Sequence, residues 1–467
     1  MLQYRSRGVI DTAAINFSGR FFGGRFASGL KCMAYGGFYM VYQILKVSVV
    51  IFTNLAQALL FLTGIFYLLL SARGFFKSRR PARDARLRRF AILLPAYNEA
   101  EVIRFAVESL NKLDYPADKF DVFLAADHCT DATAAIAAGL GAKVLDYSGP
   151  GLKPGKGRAL KWATERILAR PSGAPAGSAG TDEGGYDAFC YFDADSLAHP
   201  RFLRVMNDRL AAGEEAVQGR QLAKNTGCWL ARILAAGHII SNRFFQRSKY
   251  ALGLSATLHG KGMCFSRGIA RRYQWDETCL TEDLEMQMRL IRGGVRITWA
   301  EDAIVYDEEP ENLRAYVIRN VRWTRGSLDT ARRHLGGLLR RAFAGPDPRA
   351  FEGAVYCAQV YRLGAAVLTG ALIWLTRDSF NIFIWAYHQL PGAELAVKMT
   401  TLLPLALYPA AALLVEKAGP ELFAAYFLQP ALGFLRVPVF LAGVFRSRPD
   451  WGRTDHISQV AISDLAE

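Results

Sequence analysis

Ala188-Phe189-Cys190-Tyr191-Phe192-Asp193-Ala194-Asp195 is a short apolar run that stops at a pair of carboxylates. Consecutive apolar residues without helical spacing are the pattern of a strand buried on both faces. The same arrangement occurs twice upstream. Phe90-Ala91-Ile92-Leu93-Leu94 stops at Pro95, and Val122-Phe123-Leu124-Ala125-Ala126 stops at Asp127. A further short strand is predicted at 143–145. Helical patterns fall between the strands, at 98–113, at 132–139 and from Gly157 to about residue 169. This alternation predicts an α/β domain with a mostly parallel sheet and helices on both faces. Ligands of such sheets bind beyond the carboxyl ends of the strands, where Asp127 and Asp193 both fall.

Outward from this core the chain becomes apolar. Residues 47–70 carry no charge and are long enough to cross a hydrocarbon core of ~30 Å as a helix. The run begins too far inside the chain, and is too long, for a signal peptide. Comparable stretches lie at about 355–375, 395–415 and 422–445, with a shorter one at 380–387. The expected organisation is a tail with an interfacial segment (1–46), a span (47–71) and the α/β domain (72–345). A C-terminal membrane region of about three spans (346–446) and a tail (447–467) complete it.

The formal charge of +15 is clustered beside the first span, which argues against nucleic-acid binding. Eight Lys/Arg residues lie between Arg73 and Arg89, opposed only by Asp84. Such enrichment marks the cytoplasmic side of a membrane and attracts anionic lipid. The N-terminal tail is also basic, so the first residues lie either outside or back along the interface. Seven scattered cysteines without C-x-x-C spacing indicate neither a zinc site nor a disulfide framework. A low-complexity segment at 171–185 reads as a surface insertion. Residues 228–250 read as a helix with an apolar face and a basic end, either interfacial or part of an ordinary core.

Several motifs carry chemistry. Asp193 and Asp195, one residue apart at a strand end, offer hard oxygen ligands to Mg²⁺ or Mn²⁺ bridging a diphosphate. Asp127 either accepts hydrogen bonds from a uracil or ribose or caps the next helix, a role that Asp131 suits better. Lys156, between Gly155 and Gly157, stands where a backbone and a helix N-terminus can approach a phosphate, without forming a Walker pattern. Thr281-Glu282-Asp283 opens a helix with Thr281 available as cap. Its carboxylates either complement the helix dipole or supply a general base for an acceptor hydroxyl. Arg319 and Arg322, three apart on a helix, can point together at a diphosphate, with Trp323 floor to a sugar site.

Taken in order, these residues resemble the membrane-bound family 2 glycosyltransferases, which include cellulose, chitin and hyaluronan synthases and ceramide glucosyltransferase. The resemblance rests on Leu94-Pro95-Ala96-Tyr97-Asn98-Glu99, Asp127, Lys156, Asp193-Ala194-Asp195, Thr281-Glu282-Asp283 and Arg319-Asn320-Val321-Arg322-Trp323. It implies a GT-A (Rossmann-like) domain at the cytoplasmic face of the inner (plasma) membrane, in a multi-pass protein. The implied reaction is an inverting, metal-dependent transfer from a nucleotide-sugar, usually UDP-linked. Carried over, Pro95, Tyr97, Glu99, Asp127, Lys156 and Asp193 serve the nucleotide-sugar. Asp193 and Asp195 hold the metal, and Asp283 is the base with Glu282 beside it. Gly260, Lys261, Arg319, Arg322 and Trp323 serve the acceptor and the leaving diphosphate. Trp451-Gly452-Arg453-Thr454-Asp455-His456 resembles a motif that closes the family's C-terminal membrane region.

One departure matters. Processive synthases carry Gln at the first position of Gln-x-x-Arg-Trp, whereas this chain has Arg319, as in enzymes that add one sugar. The leading expectation is a growing exopolysaccharide as acceptor, with export partners possible. The alternatives are a lipid acceptor, a sphingolipid or polyprenyl-phosphate, and a non-catalytic transporter or nucleotide-sensing scaffold.

Overall fold

The computed structural model describes residues 26–76, 81–169, 185–376, 408–445 and 458–465, with side chains from residue 40 onward. Residues 1–25 of the expected tail, nearly all of the expected insertion, the 380–387 stretch, the first part of the expected 395–415 span and the 451–456 motif lie outside these residues.

Helix α1 (Phe26–Ser71) runs without interruption across residues 46 and 47 and ends in a 3₁₀ turn, Ala72–Phe75. Strand and helix then alternate: β1 (Phe90–Ala96), α2 (Ile103–Asn111), β2 (Phe120–Asp127), α3 (Thr133–Gly139), β3 (Lys143–Tyr147), α4 (Lys156–Leu168) and β4 (Ala188–Tyr191). Pro95 lies within β1 and does not end it. β4 pairs only with Phe90 to Leu93, so Pro95 has a strand neighbour on one side only. A missing N–H is tolerated at such an edge.

After β4 the chain continues through β5 (Leu197–Ala198), α5 (Phe202–Ala211), β6 (Ala216–Ala223) and α6 (Trp229–Ser241). A π-helical turn, Asn242–Gln246, leads to α7 (Arg247–Ala251). There follow β7 (Met263–Ser266), α8 (Arg267–Arg272), α9 (Glu282–Arg292), β8 (Ile297–Asp307), α10 (Leu313–Ala344), α11 (Pro348–Thr376), α12 (Tyr408–Val415) and α13 (Pro420–Phe445).

The eight strands form one sheet in the order β3-β2-β1-β4-β7-β6-β8-β5. β1, β2, β3 and β4 are mutually parallel, and β6 and β8 are parallel to each other. β7 is antiparallel to both β4 and β6, and β5 is antiparallel to β8. The expected mostly parallel sheet is therefore mixed. The four-residue apolar run of β7 carries no signal of its direction in sequence.

The geometry of this mixture decides where the site falls. Six strands point the same way, so their carboxyl ends share one edge. The reversed β7 brings its amino end, and the preceding glycines, to that same edge. Alternate residues of the central strands divide the core. Phe90, Ile92 and Leu94 meet α2 and α5, whereas Leu93, Phe189 and Tyr191 meet α4 and α9. Burying each such large side chain contributes roughly 1.5–3 kcal/mol, which makes the sheet a rigid base for residues at its edge.

Among the described residues three helical segments are long and apolar enough to cross a membrane: Met40–Phe75, α11 and α13. They present apolar side chains outward, among them Leu59, Leu69, Trp374 and Phe434. α6 packs its apolar face on α12 and α13, through contacts such as Leu230 and Ile233 with Leu432. It therefore joins the catalytic domain to the apolar helices, with Trp229 at its exposed start.

A buried ion pair makes the other junction. Lys249 Nζ of α7 lies 2.7 Å from Glu352 Oε1 of α11, and neither side chain is exposed. Tyr67 of α1 donates to the same oxygen at 3.2 Å. Glu352→Ala should lower stability by about 3–5 kcal/mol, since it leaves a buried ammonium without its carboxylate. Lys249→Met with Glu352→Leu should recover most of that loss. Thermal unfolding of the detergent-solubilised chain checks both, and a loss below about 1 kcal/mol for Glu352→Ala would contradict the junction.

Candidate active site

Four chain segments supply the carboxylates at the sheet edge. Asp127, the last residue of β2, is buried. Its Oδ1 accepts from His128 Nδ1 at 2.8 Å and its Oδ2 from the Gly155 N–H at 2.8 Å. His128 holds the following loop through the Leu152 carbonyl at 3.1 Å. The cap position of α3 is Ala132, without a side-chain capping bond; Asp131, one residue earlier, accepts from the Thr133 N–H at 3.0 Å and the Ala100 N–H at 3.2 Å. Asn98 and His128 both take left-handed backbone conformations at this edge, the kind of strain that concentrates at functional sites.

Lys156 opens α4, but its ammonium is directed at carboxylates. Nζ lies 2.6 Å from Asp193 Oδ1 and 2.9 Å from Glu282 Oε1. Burial opposes its charge, yet Asp193 and Glu282 hold it well above the usual lysine range. The flanking glycines have local reasons. Gly155 adopts φ +149° while donating to Asp127, and a Cβ on Gly157 would strike the Asp276 carbonyl.

Glu282 and Asp283 begin α9. Thr281 occupies the cap position, but its hydroxyl makes no capping bond; instead Asp283 Oδ1 accepts from the Leu284 N–H at 2.7 Å. Thr281 faces α10, where a Cβ on Gly326 would lie 2.5 Å from its Oγ1. Gly326 thus allows the start of α9 to approach the helix bearing Arg319, Arg322 and Trp323. Burial and the neighbouring Glu282 push the Asp283 carboxyl up to about 6, against the pull of Lys156.

The fourth segment, at the end of β8, was not legible as a site in sequence. β8 ends at Asp307, followed by Glu308 and Glu309, so it obeys the same apolar-run-then-carboxylate rule as β2 and β4. Asp307 accepts from Lys261 and, at 2.9 Å, from Gln221 Nε2. Glu308 pairs with buried Lys224 at 2.9 Å. Glu309 bonds His238 Nε2 at 2.5 Å and Arg319 Nη2 at 2.7 Å. Burial works against ionisation of Glu309, but Arg319 and His238 hold its carboxyl down to about 2.

One cavity gathers most of the candidate residues. Pro95, Tyr97, Glu99, Asp127, Lys156, Asp193, Asp195, Lys261, Glu282, Asp283, Arg319, Arg322 and Trp323 line it, together with His259 and Asp307 to Asn312. Gly260 stands just behind, at φ +76°, where a Cβ would come within 3.3 Å of both Asp283 Oδ2 and Lys156 Nζ. Arg319 is engaged with Glu309, and its guanidinium carbon lies 4.8 Å from the Trp323 ring centroid. Burial lowers the Arg322 guanidinium, while Glu282 and Asp193 draw on its charge. Burial drives the neighbouring His259 down to about 3, so it is neutral.

The donor set suits a divalent cation completed by substrate. Among the described residues no three His, Cys, Asp or Glu side chains form a ready cage. Asp193 and Asp195 are two carboxylates of adjacent position, and Mg²⁺ characteristically uses one or two carboxylates plus phosphate oxygens and water. The ammonium groups of Lys156 and Lys261, 2.6 and 3.8 Å from Asp193, mark its oxygens as cation-accepting. Among the described residues Cys129, Cys190, Cys228, Cys264, Cys279 and Cys357 are free thiols.

Comparisons with known proteins identify the family and the fold. The profile of the family described as "Glycosyltransferase like family 2" matches residues 88–326, just over half of the chain. A probable glycosyltransferase of Bacillus subtilis, YdaM, is 25% identical over 253 residues, 52% of this chain and 56% of its own. A beta-monoglucosyldiacylglycerol synthase of Synechocystis is 27% identical over 205 residues, covering 43% and 39%. A poly-beta-1,6-N-acetyl-D-glucosamine synthase of Staphylococcus epidermidis is 21% identical over 333 residues, covering 69% and 76%. The chain thus spans about half or less of the first two relatives. A mannosyltransferase of Pyrobaculum calidifontis, solved with GDP-Man and Mn²⁺, shares the fold at a TM-score of 0.52 and 17% identity, over 81% of this chain and 98% of that one. The mixed-sheet, Rossmann-like domain is a GT-A fold.

The Gly326 contact can be tested directly. Gly326→Ala should cost about 1–3 kcal/mol by overpacking against Thr281, and Thr281→Ala in the same chain should restore most of it. Melting of the single and double variants checks this; a double variant no more stable than Gly326→Ala would rule the contact out as the cause.

Proposed function

Because the chain belongs to family 2 of the glycosyltransferases, we propose that it moves a hexose from a UDP-sugar onto a growing polysaccharide, with inversion. The observation that carries this reading is Asp283. It is a half-buried carboxylate in the same cavity as Asp127, Arg322 and Trp323. Its carboxyl is raised to about 6, close to the working pH that suits a general base.

In this reading Pro95, Tyr97, Glu99 and Asp127 hold the nucleotide, and Asp193, with Lys156 paired to it, stands at the diphosphate end of the donor. The acceptor oxygen bonds to the anomeric carbon on the face opposite the diphosphate and gives its proton to Asp283. The bond from that carbon to the diphosphate oxygen breaks, and its electron pair leaves with the nucleotide. Arg322 meets the charge of the departing group. Trp323, Gly260 and Lys261 line the acceptor side, and Glu282, anchored by Lys156, holds the start of α9. Mg²⁺ or Mn²⁺ on Asp193 and Asp195 would stabilise the diphosphate charge when bound.

The membrane setting belongs to the same proposal: a multi-pass inner-membrane protein, its catalytic domain (72–345) cytoplasmic, between an N-terminal span and a C-terminal membrane region. Three helices of suitable length and hydropathy support it. Export partners would then meet the product on the far side.

A lipid acceptor is the second reading, favoured by one contact. α10, which bears Arg322 and Trp323, packs on α13, where Gly443 lies against Thr324 and the Val321 carbonyl. The acceptor side of the cavity therefore adjoins an apolar helix. Membranes given labelled UDP-sugars with Mg²⁺ or Mn²⁺ distinguish the two: high-mass product supports the polymer, chloroform-soluble product the lipid.

Asp283→Asn should reduce kcat by about 10²–10⁴-fold while UDP binding persists. The base must be ionised, so kcat/KM should fall as pH drops through about 6. Release of UDP measured across pH checks both. Undiminished turnover in Asp283→Asn would remove Asp283 from the role.

A further inference from the structure

Arg319 and Arg322 stand one turn apart on α10 and line the same cavity, yet their surroundings differ. Arg319 Nη2 lies 2.7 Å from Glu309 Oε2, with the Glu309 side chain 1% exposed. The other carboxylate oxygen faces His238 Nε2 of α6 at 2.5 Å. The Glu309 backbone is itself fixed, since its N–H donates to Asn225 Oδ1 at 2.8 Å and its carbonyl accepts from Asn225 Nδ2 at 2.9 Å. The guanidinium of Arg319 then lies against Trp323, at 4.8 Å. Trp323 is 44% exposed, an indole held on one side and presented to the cavity on the other.

The charge of Arg319 is therefore matched by a fixed, buried carboxylate, which holds its guanidinium against the indole. Arg322 has the opposite character. The acidic groups that act on it are Glu282, Asp193 and Asp283, those of the proposed transfer centre.

We infer that Glu309 and Arg319 are a positioning pair that orients Trp323 at the acceptor end of the cavity, and that Arg319 takes no part in holding the donor. This rests on the proposed function for the identity of the two ends. Arginine at position 319 is then the residue that a buried carboxylate at 309 calls for. Removing Glu309 leaves the Arg319 charge buried without its carboxylate, whereas removing Arg319 leaves Glu309 with His238 alone.

The test uses the full chain in detergent, with Glu309→Gln, Arg319→Gln, the double variant and Arg322→Gln. UDP binding with Mn²⁺ present should stay within about twofold in the first three and weaken about tenfold or more in Arg322→Gln, the scale of a lost charge-assisted hydrogen bond. Turnover should fall in each single variant, and the double should lose no more than the worse single, as coupled sites do. Arg319→Gln weakening UDP as much as Arg322→Gln, or losses that multiply in the double, would overturn the inference. Melting temperatures of the same four proteins decide the pairing independently of nucleotide. Additive shifts in Glu309→Gln and Arg319→Gln would refute it, whereas failure of the unsubstituted protein to bind either UDP or GDP would count against the proposed function alone.

Discussion

Lys156 is the pivot of the site. Its ammonium bridges Asp193, just beyond β4, and Glu282, at the start of α9, at 2.6 and 2.9 Å. At least Asp193, Glu282 and Asp283 crowd one side of the cavity, and two like charges about 4 Å apart repel by roughly 4 kcal/mol at an effective dielectric near 20. A cation among them lets the strand end and the helix start coexist. It also moderates Asp283, which burial and Glu282 would otherwise raise further. Lys261 repeats the device between Asp307 and Asp193. The two lysines come from the start of α4 and from the turn into reversed β7, so the mixed sheet is what brings both to one edge.

The second constraint is that α10 serves two neighbours at once. One face carries Arg319, Arg322 and Trp323 into the cavity. Other faces meet α9, α11 and α13, with close approaches at Gly326 and Gly443. Glycine at these points lets helices pack backbone against side chain, and leaves little room for the site to shift without the apolar helices shifting too. With the Lys249–Glu352 pair below, the catalytic domain and the apolar helices form a continuous packed body.

Much of this was legible in the sequence, because apolar runs that stop at a carboxylate have a direct physical meaning. β2, β4, Asp127 and Asp193 could be read that way, β1 followed from its apolar run although Pro95 does not end it, and helical patterning placed Glu282, Asp283 and Arg322. What escaped depended on partners far along the chain. The direction of β7 is fixed by its neighbours β4 and β6, and Met263-Cys264-Phe265-Ser266 is too short to reveal it. Thr281 resembles a cap, but its side chain packs on Gly326, 45 residues later in the chain. Lys156 resembles a phosphate-binding lysine, and only folding reveals its carboxylates. Asp307 to Glu309 obeyed the strand-end rule, but Glu301 and Asp302 interrupt the apolar pattern before them and hid the signal.

In the proposed mechanism Lys156 moderates the ionisation of the Asp283 carboxylate, which burial and Glu282 raise. The direct measurement is the pH dependence of kcat/KM for Lys156→Met beside the unsubstituted enzyme. Removing the ammonium should raise the Asp283 carboxyl, so the acid limb should move from about 6 to higher pH. An acid limb that stays in place, or moves to lower pH, would contradict the account.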